Sequence, residues 1–478
     1  MMNPTRHCFI ISAVIAAAIA SAQARAEKPN IVLIFTDDQG YGDLGCYGSP
    51  NIETPNIDRM AAEGIRLTSF YAAPYCGPSR AQLMTGCYPP RVSHATNQLP
   101  SSREGLNPDE ITIAEILKGA GYATKHIGKW HLGDAKPFLP TSQGFDSYFG
   151  IPYSNDMWRY HPRMPIQENE GKLMKSIRQR AAYTGFAGQG SYYKPDELLD
   201  NDLALYRNEE MIGSNPDQRQ LTARYTSEAL KFIESNKDKP FFLYLAHSMP
   251  HVPLFVSDKY RGKSPRGLYG DVIMEIDWST GQILDKLKAL NLDEKTLVVF
   301  TSDNGPWGSY GIDGGSAGPL RGSKGSTFEG GMRVPAIFRW PEKIPAEKRS
   351  DAIAGTHDLL PTFAAVAGAR APADRVIDGK DLLPLISGET EAAPHEYFYY
   401  FSGGKVRLLG IRDERWKLHV KIDEGVVRES ALYDLGRDVG EKFDRIVDHP
   451  DIAKKLKSQA QRFYNEISRN VRPIGRLP

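Results

Sequence analysis

Hydrophobic residues along the chain form short apolar runs that alternate with segments of helical periodicity. The apolar runs predict buried strands at residues 30–36, 122–127, 241–246 and 297–301. A segment opened by Pro108 places Ile113, Ile116 and Leu117 on one face, and residues 271–290 also have a helical period. Strands that alternate with helices predict an α/β fold with a mostly parallel sheet flanked by helices.

Two regions depart from this pattern. Residues 150–220 are rich in Tyr, Arg, Gly and Asn with weak periodicity, so we expect local structure or a substrate-facing insertion there. After about residue 390 the sequence predicts antiparallel strands at 396–401, 406–411 and 416–420 and a closing amphipathic helix at 451–467. We therefore divide the chain into residues 1–26, a main domain at 27–390 and a small C-terminal subdomain at 391–478.

The N-terminus has the order of features found in a secretory signal peptide. Arg6 and His7 precede an apolar run at residues 9–20, and small-residue cleavage patterns follow at 22–24 and 24–26. We expect an exported protein, periplasmic or secreted after cleavage, and an uncleaved anchor is the alternative. Further along, no uncharged apolar run reaches the roughly 18 residues of a membrane span, so we expect no stable membrane insertion.

Charge and cysteine content narrow the class of protein. The chain has 478 residues, with 59 Lys and Arg against 58 Asp and Glu, and this balance argues against a nucleic-acid binder. Its 4 cysteines are too few for a disulfide scaffold. Cleavage after residue 26 removes Cys8 and leaves an odd number, so at least one cysteine is unpaired or chemically changed. Whether Cys46 and Cys87 form a disulfide stays open.

Acidic side chains follow two of the predicted strands directly. Asp37 and Asp38 follow the first strand, and Asp303 and Asn304 follow the strand at 297–301. Ligands of open α/β sheets bind beyond the carboxyl ends of the strands, so these residues are placed to surround one ion. An all-oxygen set favours Ca²⁺ or Mg²⁺. The alternative is that each pair only forms a turn or caps a helix.

Cationic side chains follow other strands. Lys129 and His131 are two residues apart and face the same side of an extended segment. His247 and His251 follow the strand at 241–246, and Lys324 lies in a glycine-rich stretch. Together these groups predict a positive site for a tetrahedral oxyanion such as sulfate or phosphate. Each of them singly is also consistent with an ordinary surface or packed residue.

Cys76 is the candidate nucleophile. It precedes a predicted helix at residues 81–85, whose start suits Pro78, and a helix N-terminus lowers a thiol pKa and attracts anions. Arg80 lies one turn further along the same face. A buried structural cysteine is the alternative interpretation.

A family resemblance rests on these same residues. Residues 76–86, CGPSRAQLMTG, resemble the C-x-P-S-R-x-x-x-L-T-G signature of type I sulfatases, with Met84 in place of Leu as the one departure. Further matches lie at residues 40–45, 54–58, 128–133, 301–305, 329–335 and 378–382. The chain is similar to arylsulfatases and N-acetylgalactosamine-6-sulfatases. The resemblance implies an alkaline-phosphatase-like fold with a small C-terminal antiparallel sheet and helix.

The resemblance also implies roles for the polar residues. A formylglycine-generating enzyme would oxidise Cys76 to formylglycine, whose hydrate is the nucleophile and also a metal ligand. Calcium, with Mg²⁺ as the less favoured ion, would be held by Asp37, Asp38, Asp303 and Asn304. The catalytic set would be completed by Arg80 at the formylglycine, Lys129 and His131 at its hydrate, and His251 and Lys324 at the sulfate and leaving oxygen. We prefer His251 to His247 because the Pro-His pair of the family falls there.

We therefore predict a calcium-dependent sulfatase that hydrolyses sulfate monoesters, of sulfated carbohydrates in particular. A phosphoester or phosphonate monoester hydrolase of the same superfamily and a non-catalytic binder of sulfated glycans are the alternatives. Candidate substrate contacts are His94, Asn97, Trp158, Arg159 and Trp307. The sequence leaves open which sugar and sulfate position are used, exo or endo action, the oligomeric state and the maturation system.

Overall fold

The computed structural model describes residues 28–157 and 203–478. In this part of the chain, an 11-stranded mixed sheet forms the core. Its strands are β1 (Asn30–Thr36), β2 (Ile65–Tyr71), β4 (Ala123–Gly128), β5 (Ser147–Gly150), β6 (Ala204–Arg207), β7 (Glu210–Ser214), β8 (Phe241–Ala246), β9 (Thr296–Ser302), β10 (Arg333–Arg339), β11 (Lys348–Ser350) and β12 (Ala354–Gly355). Two short strands outside this sheet, β3 (Glu104–Gly105) and β17 (Gly475–Arg476), pair with each other.

The centre of the sheet is parallel, as the sequence predicts. The strand order is β11-β2-β10-β9-β1-β8-β4-β5-β6-β7, with β12 beside β2. β1 lies between β8 and β9 and is parallel to both. Antiparallel neighbours occur on both sides of this centre, where β10 pairs with β9 and β2, and β6 pairs with β5 and β7. The parallel strands therefore all point their carboxyl ends at one edge.

Helices cover both faces of the sheet. The α-helices of the described residues are α1 (Pro55–Ala62), α2 (Cys76–Thr85), α3 (Ile113–Gly119), α4 (Leu221–Ser235), α5 (Leu268–Ala289), α6 (Glu329–Met332), α7 (Leu359–Val366), α8 (Leu383–Ile386) and α9 (Pro450–Arg469), the last of which packs on the smaller sheet described below. Successive residues of β1 face opposite sides. Leu33 packs in one buried cluster with α2, α3 and α7, whereas Ile34 packs in another with α1, α4 and α5. Burial on both faces explains why β1 is a continuous apolar run.

A second, smaller sheet lies near the C-terminus. Its 4 antiparallel strands within the described residues are β13 (Phe398–Phe401), β14 (Leu408–Arg412), β15 (Trp416–Asp423) and β16 (Val426–Asp434). Helix α9 packs on this sheet through Leu456 and Ala460. The α/β fold with a C-terminal antiparallel sheet and helix is thus confirmed, whereas the sequence pattern did not indicate β16. In residues 28–157 and 203–478, no helix has both the length and the apolar character needed to cross a membrane.

Two helix starts differ from the prediction. α3 begins at Ile113 and not near Pro108, because Thr112 and Glu115 form a reciprocal capping box: the Thr112 hydroxyl accepts from the Glu115 N–H, and the Glu115 carboxylate accepts from the Thr112 N–H. α2 begins at Cys76, two residues before Pro78. The start of α3 follows from this capping box, whereas the residue before α2, Tyr75, makes no side-chain cap.

Candidate active site

The acidic residues meet at the carboxyl edge of the sheet. Because Thr36 of β1 pairs with Ser302 of β9, the residues after these two strands emerge side by side. The Asp38 N–H donates to Asp303 Oδ1 at 3.1 Å, and Asn304 Nδ2 donates to Asp38 Oδ1 at 2.6 Å. Asp37, Asp38, Asp303 and Asn304 are all buried. The structure therefore places the four predicted oxygen donors in one cluster.

The chemistry of this cluster suits a hard cation. Burial raises the pKa of Asp303, and the neighbouring Asp37 carboxylate raises it further. Several buried carboxylates in contact need positive charge to remain ionised together. In addition, Asn304 Oδ1 is buried and has no hydrogen-bond partner among the described residues. Carboxylate oxygens with an unpartnered amide oxygen are donors of the kind that bind Ca²⁺ or Mg²⁺.

Cys76 lies at the centre of the cluster, in the first turn of α2. Its Sγ is 3.2 Å from Asp37 Oδ1, 3.8 Å from Asp38 Oδ1 and 3.4 Å from Lys324 Nζ. The sequence-based expectation of a lowered thiol pKa is wrong. Burial raises the pKa of Cys76 well above its usual value, and Asp303 and Asp37 raise it further. These effects outweigh the helix N-terminus, so an unmodified thiol at this position stays protonated.

Arg80 binds the acidic residues from within α2. One guanidinium nitrogen donates to Asp303 Oδ2 at 2.9 Å and lies 3.7 Å from Asp37 Oδ2, and another donates to the Lys129 carbonyl at 2.6 Å. The side chain is fully buried. Arg80 therefore fixes the relative positions of two carboxylates and of the chain that follows β4.

The segment after β4 brings Lys129 and His131 to the site. Gly128 has φ of 107°, and a Cβ there would lie 1.7 Å from the Ala246 carbonyl oxygen, so only glycine allows this close passage. Lys129 Nζ pairs with Asp37 and donates to Ser154 Oγ at 3.1 Å. His131 Nε2 lies 3.2 Å from the Gln98 carbonyl, which as an acceptor places the ring proton on Nε2.

His251 and Lys324 close the other side of the site. His251 Nε2 lies 3.1 Å from Ser154 Oγ and 3.5 Å from Asp38 Oδ2, while Nδ1 faces the Val252 carbonyl. Lys324 Nζ lies 2.8 Å from Asp38. Burial, followed by Lys324 and other cations, lowers the pKa of His251 well below its usual value. His251 is therefore neutral, with Nε2 free to accept a proton.

His247, the alternative to His251, lies outside the acidic cluster. His247 Nε2 is 3.4 Å from Ser279 Oγ of α5, and its ring packs near Tyr225 of α4. Burial lowers the pKa of His247 to about 4. A metal-competent cluster in the described residues comprises Asp37, Asp38, Cys76 and His251 but not His247.

The candidate substrate residues differ in their surroundings. Trp307 packs against His251, with ring centroids 5.1 Å apart, and Lys324 Nζ lies 4.2 Å from the Trp307 ring centroid. Asn97 Oδ1 accepts from the Gly77 N–H at 2.9 Å and so binds the start of α2. His94 is buried, and burial lowers its pKa to about 3. Trp158 and Arg159 lie outside the described residues.

Sequence reasoning missed two polar residues that follow β5. Ser154 contacts both Lys129 and His251 through Oγ. Asp156 has a buried Oδ1 with no hydrogen-bond partner in the described part of the chain, and burial raises its pKa to about 6. Their position in the sequence could have identified them. They follow β5, which is parallel to β4, and so lie at the same edge of the sheet as the residues that follow β4.

Comparisons with known proteins agree on one family. A family model described as Sulfatase matches residues 29–369, and one described as N-sulphoglucosamine sulphohydrolase, C-terminal, matches residues 323–468. The N-acetylgalactosamine-6-sulfatase of Canis lupus familiaris is 42% identical over 425 residues, covering 85% of this chain and 74% of that protein. Arylsulfatase A of Homo sapiens is 39% identical over 453 residues, covering 89% and 85%. The crystal structure of Ps i-CgsB in complex with k-i-k-neocarrahexaose has a TM-score of 0.76 at 31% identity and covers 92% of this chain and 93% of that one.

Fold, site and relatives together define a hydrolase of sulfuric esters with an alkaline-phosphatase-like α/β fold. The chain belongs to the sulfatase family, and within it resembles the arylsulfatases and N-acetylgalactosamine-6-sulfatases.

Proposed function

We propose that this protein is an exported, calcium-dependent sulfatase of sulfated carbohydrates whose nucleophile is a formylglycine made from Cys76 by a formylglycine-generating enzyme. The observation that carries the proposal is the position of residue 76, whose Sγ contacts Asp37, Asp38 and Lys324 inside one buried cluster. Calcium would be held by Asp37, Asp38, Asp303 and the unpartnered amide oxygen of Asn304. Mg²⁺ is the less favoured ion because it demands a stricter octahedral geometry.

The bound groups and the protein residues divide the chemistry between them. When present, the cation supplies Lewis-acid stabilisation of the sulfate oxygens, and formylglycine supplies a hydrated aldehyde as nucleophile. Lys129 and Lys324 add positive charge where the sulfate oxygens would lie, and Asp37 and Asp38 hold both ammonium groups in place. Arg80 holds the Asp303 carboxylate in position through a hydrogen bond.

The two histidines handle protons at defined atoms. The bond that breaks joins sulfur to the alcohol oxygen, and His251, which takes up a proton at Nε2 when the ester binds, delivers that proton to this oxygen. A bound sulfate ester places negative charge beside His251, which offsets the effect of the two lysines and raises its proton affinity. His131 donates its Nε2 proton to the Gln98 carbonyl, so Nδ1, which is buried without a partner in the described residues, accepts the proton released at position 76.

Carbohydrate as the substrate class is supported by the relatives and by the surroundings of the site. One relative is named for N-acetylgalactosamine 6-sulfate, and one structural neighbour holds neocarrahexaose. Trp307 offers an aromatic face beside His251, and the free Oδ1 of Asp156 offers an acceptor for a hydroxyl group. We include export to the periplasm or the medium in the proposal because of the signal-peptide pattern of residues 1–26.

A panel of matched esters tests the function. The full-length protein, produced with a formylglycine-generating enzyme, is assayed against sulfate, phosphate and phosphonate esters of one alcohol, then against sulfated mono- and oligosaccharides. We expect kcat/KM to be highest for the sulfate esters and to rise further with a sugar as the alcohol. Preference for a phosphate or phosphonate ester would establish the alternative hydrolase, and binding without turnover would establish a glycan-binding protein.

Removal of the cation should abolish most of the activity. We expect chelation followed by dialysis to lower kcat by about 10³-fold, because Lewis-acid stabilisation contributes several kcal/mol to the transition state. Calcium should restore more activity than magnesium at equal concentration. Elemental analysis of the dialysed protein is the control, and undiminished turnover by demonstrably metal-free protein contradicts the prediction.

Replacement of the proposed proton donor should depend on the leaving group. We expect His251→Gln to lower kcat by about 10²–10⁴-fold for a sugar or alkyl sulfate and much less for nitrophenyl sulfate, whose oxygen leaves without a proton. His247→Gln is the matched control, since it changes a buried histidine that lies outside the cluster. An equal loss for both esters would mean that His251 acts other than as the acid.

A further inference from the structure

A second cluster of metal-ligating side chains lies outside the active site. Asp358 directly precedes α7, His357 is its neighbour, and His395 comes from the segment that leads to β13. One ligand atom of each of the three lies within 4.8 Å of the others, and all three residues are buried. The cluster shares no residue with the active site and joins the helical layer of the main sheet to the start of the C-terminal sheet.

One ligand atom in this cluster has no partner. His357 Nε2 is fully buried and makes no hydrogen bond to any of the described residues. It lies 3.7 Å from Asp358 Oδ1, which is too long for a hydrogen bond. His395 Nε2 approaches the same Oδ1 at 2.6 Å. Burying an unpaired ring nitrogen destabilises the fold, so a group that binds all three atoms would remove this cost.

The carboxylate and the first imidazole are held by neighbouring groups. The Gly355 N–H donates to Asp358 Oδ2 at 2.7 Å, and the Lys380 N–H donates to Oδ1 at 2.8 Å. His357 Nδ1 lies 3.3 Å from Gln82 Nε2, so a flip of the Gln82 amide on metal binding would turn its oxygen toward an Nδ1 proton and leave His357 Nε2 as the ligand. Outer hydrogen bonds of this kind orient ligands in metal sites.

We propose that His357, Asp358 and His395 form a structural binding site for Zn²⁺. Two imidazole nitrogens and one carboxylate oxygen are a zinc donor set, and bonds of about 2.0–2.1 Å place tetrahedral ligands about 3.4 Å apart. The 3.7 Å separation is close to this value, and the 2.6 Å contact widens when the metal replaces the hydrogen-bonded proton. His395 lines a cavity of about 1150 Å³, from which the ion enters and water supplies the fourth ligand.

A metal titration of the full-length protein tests the site. The calcium-saturated protein, in which the acidic cluster of the active site is occupied, is titrated with Zn²⁺ and separately with Co²⁺. We expect one equivalent of tightly bound metal, visible absorption of a low-symmetry Co²⁺ site, and a rise in Tm of about 3–5 °C at a hundredfold excess of Zn²⁺ over Kd. None of these measurements depends on sulfate hydrolysis, so the result stands apart from the proposed function.

Variants separate this site from binding elsewhere. His395→Gln keeps an N–H donor toward Asp358 but removes the imidazole ligand, so we expect an unchanged Tm without zinc and loss of both the bound equivalent and the Tm rise. His419→Gln is the matched control, because His419 Nε2 also faces a carboxylate, Glu441, at 2.9 Å. Equal zinc binding by wild type and His395→Gln, or no zinc binding by wild type, overturns the proposal.

Discussion

Replacement of Cys76 by alanine is expected to lower kcat/KM for sulfate esters by about 10⁴-fold or more, because it removes the proposed nucleophile while leaving the surrounding charges in place. The measurement is turnover of an aryl sulfate and of the best sugar sulfate, with mass spectrometry of the peptide that contains residue 76. In wild-type protein this peptide should have the mass of formylglycine.

Cys87→Ala is the control for this experiment. Cys87 is also buried, but its thiol contacts the carbonyl oxygens of Thr85 and Val376 and lies away from the acidic cluster. We expect this variant to keep its activity. Sulfate hydrolysis that survives Cys76→Ala contradicts the proposed nucleophile, and an active protein with an unmodified thiol contradicts formylglycine.

The second large effect is expected at Glu329, which connects the two sheets. Its carboxylate lies 2.9 Å from Lys417 Nζ of β15 and accepts hydrogen bonds from Tyr71 of β2 at 2.6 Å and Tyr400 of β13 at 2.7 Å. Glu329→Gln leaves the buried ammonium group of Lys417 without one of its carboxylates. We expect a loss of about 3–5 kcal/mol in the free energy of unfolding, measured by urea denaturation.

Acid sensitivity should change in the same variant. Burial alone would raise the pKa of Glu329, but Lys417, Arg333 and Arg412 together hold it well below its usual value. A carboxyl group with a depressed pKa stabilises the fold above its unfolded pKa of about 4.3, and this contribution is lost as the pH falls toward the folded value. Glu329→Gln should lack this part of the acid dependence.

Glu234→Gln is the matched control for Glu329, since it breaks an exposed pair with Lys286. We expect it to change the stability by less than about 1 kcal/mol. A similarly small effect of Glu329→Gln would show that the buried pair contributes little.

The predictable parts of this protein depend on local sequence. The strand at 30–36 and the acidic pair that follows it could be found because burial on both faces requires a continuous apolar run, and strands end where polar residues begin. The signature at 76–86 then connected Cys76 to these residues. Asp303 and Lys324, its neighbours in space, are far away in sequence. The strand ends had already grouped Asp303 with Asp37 and Asp38, but only the resemblance joined Asp303 and Lys324 to Cys76.

The features that sequence reasoning missed depend on tertiary contacts. Ser154 gains its place between Lys129 and His251 from three chain segments that meet. The pKa of Cys76 moved opposite to the prediction because burial, which a helix-terminus argument omits, is the largest effect. The first half of strand β16 includes exposed and half-buried polar residues, such as Arg428 and Glu429, and so lacked an apolar run. The division of the chain at residue 390 stays a prediction.

Complete burial of α2 has a consequence for biosynthesis. All ten residues of this helix are buried, and Cys76 is 1% exposed. An enzyme that oxidises this side chain must reach it, and the folded protein keeps it buried. Under the proposal, the oxidation therefore takes place on the nascent or newly translocated chain. A molecule that folds with an unmodified Cys76 can no longer be oxidised and stays inactive.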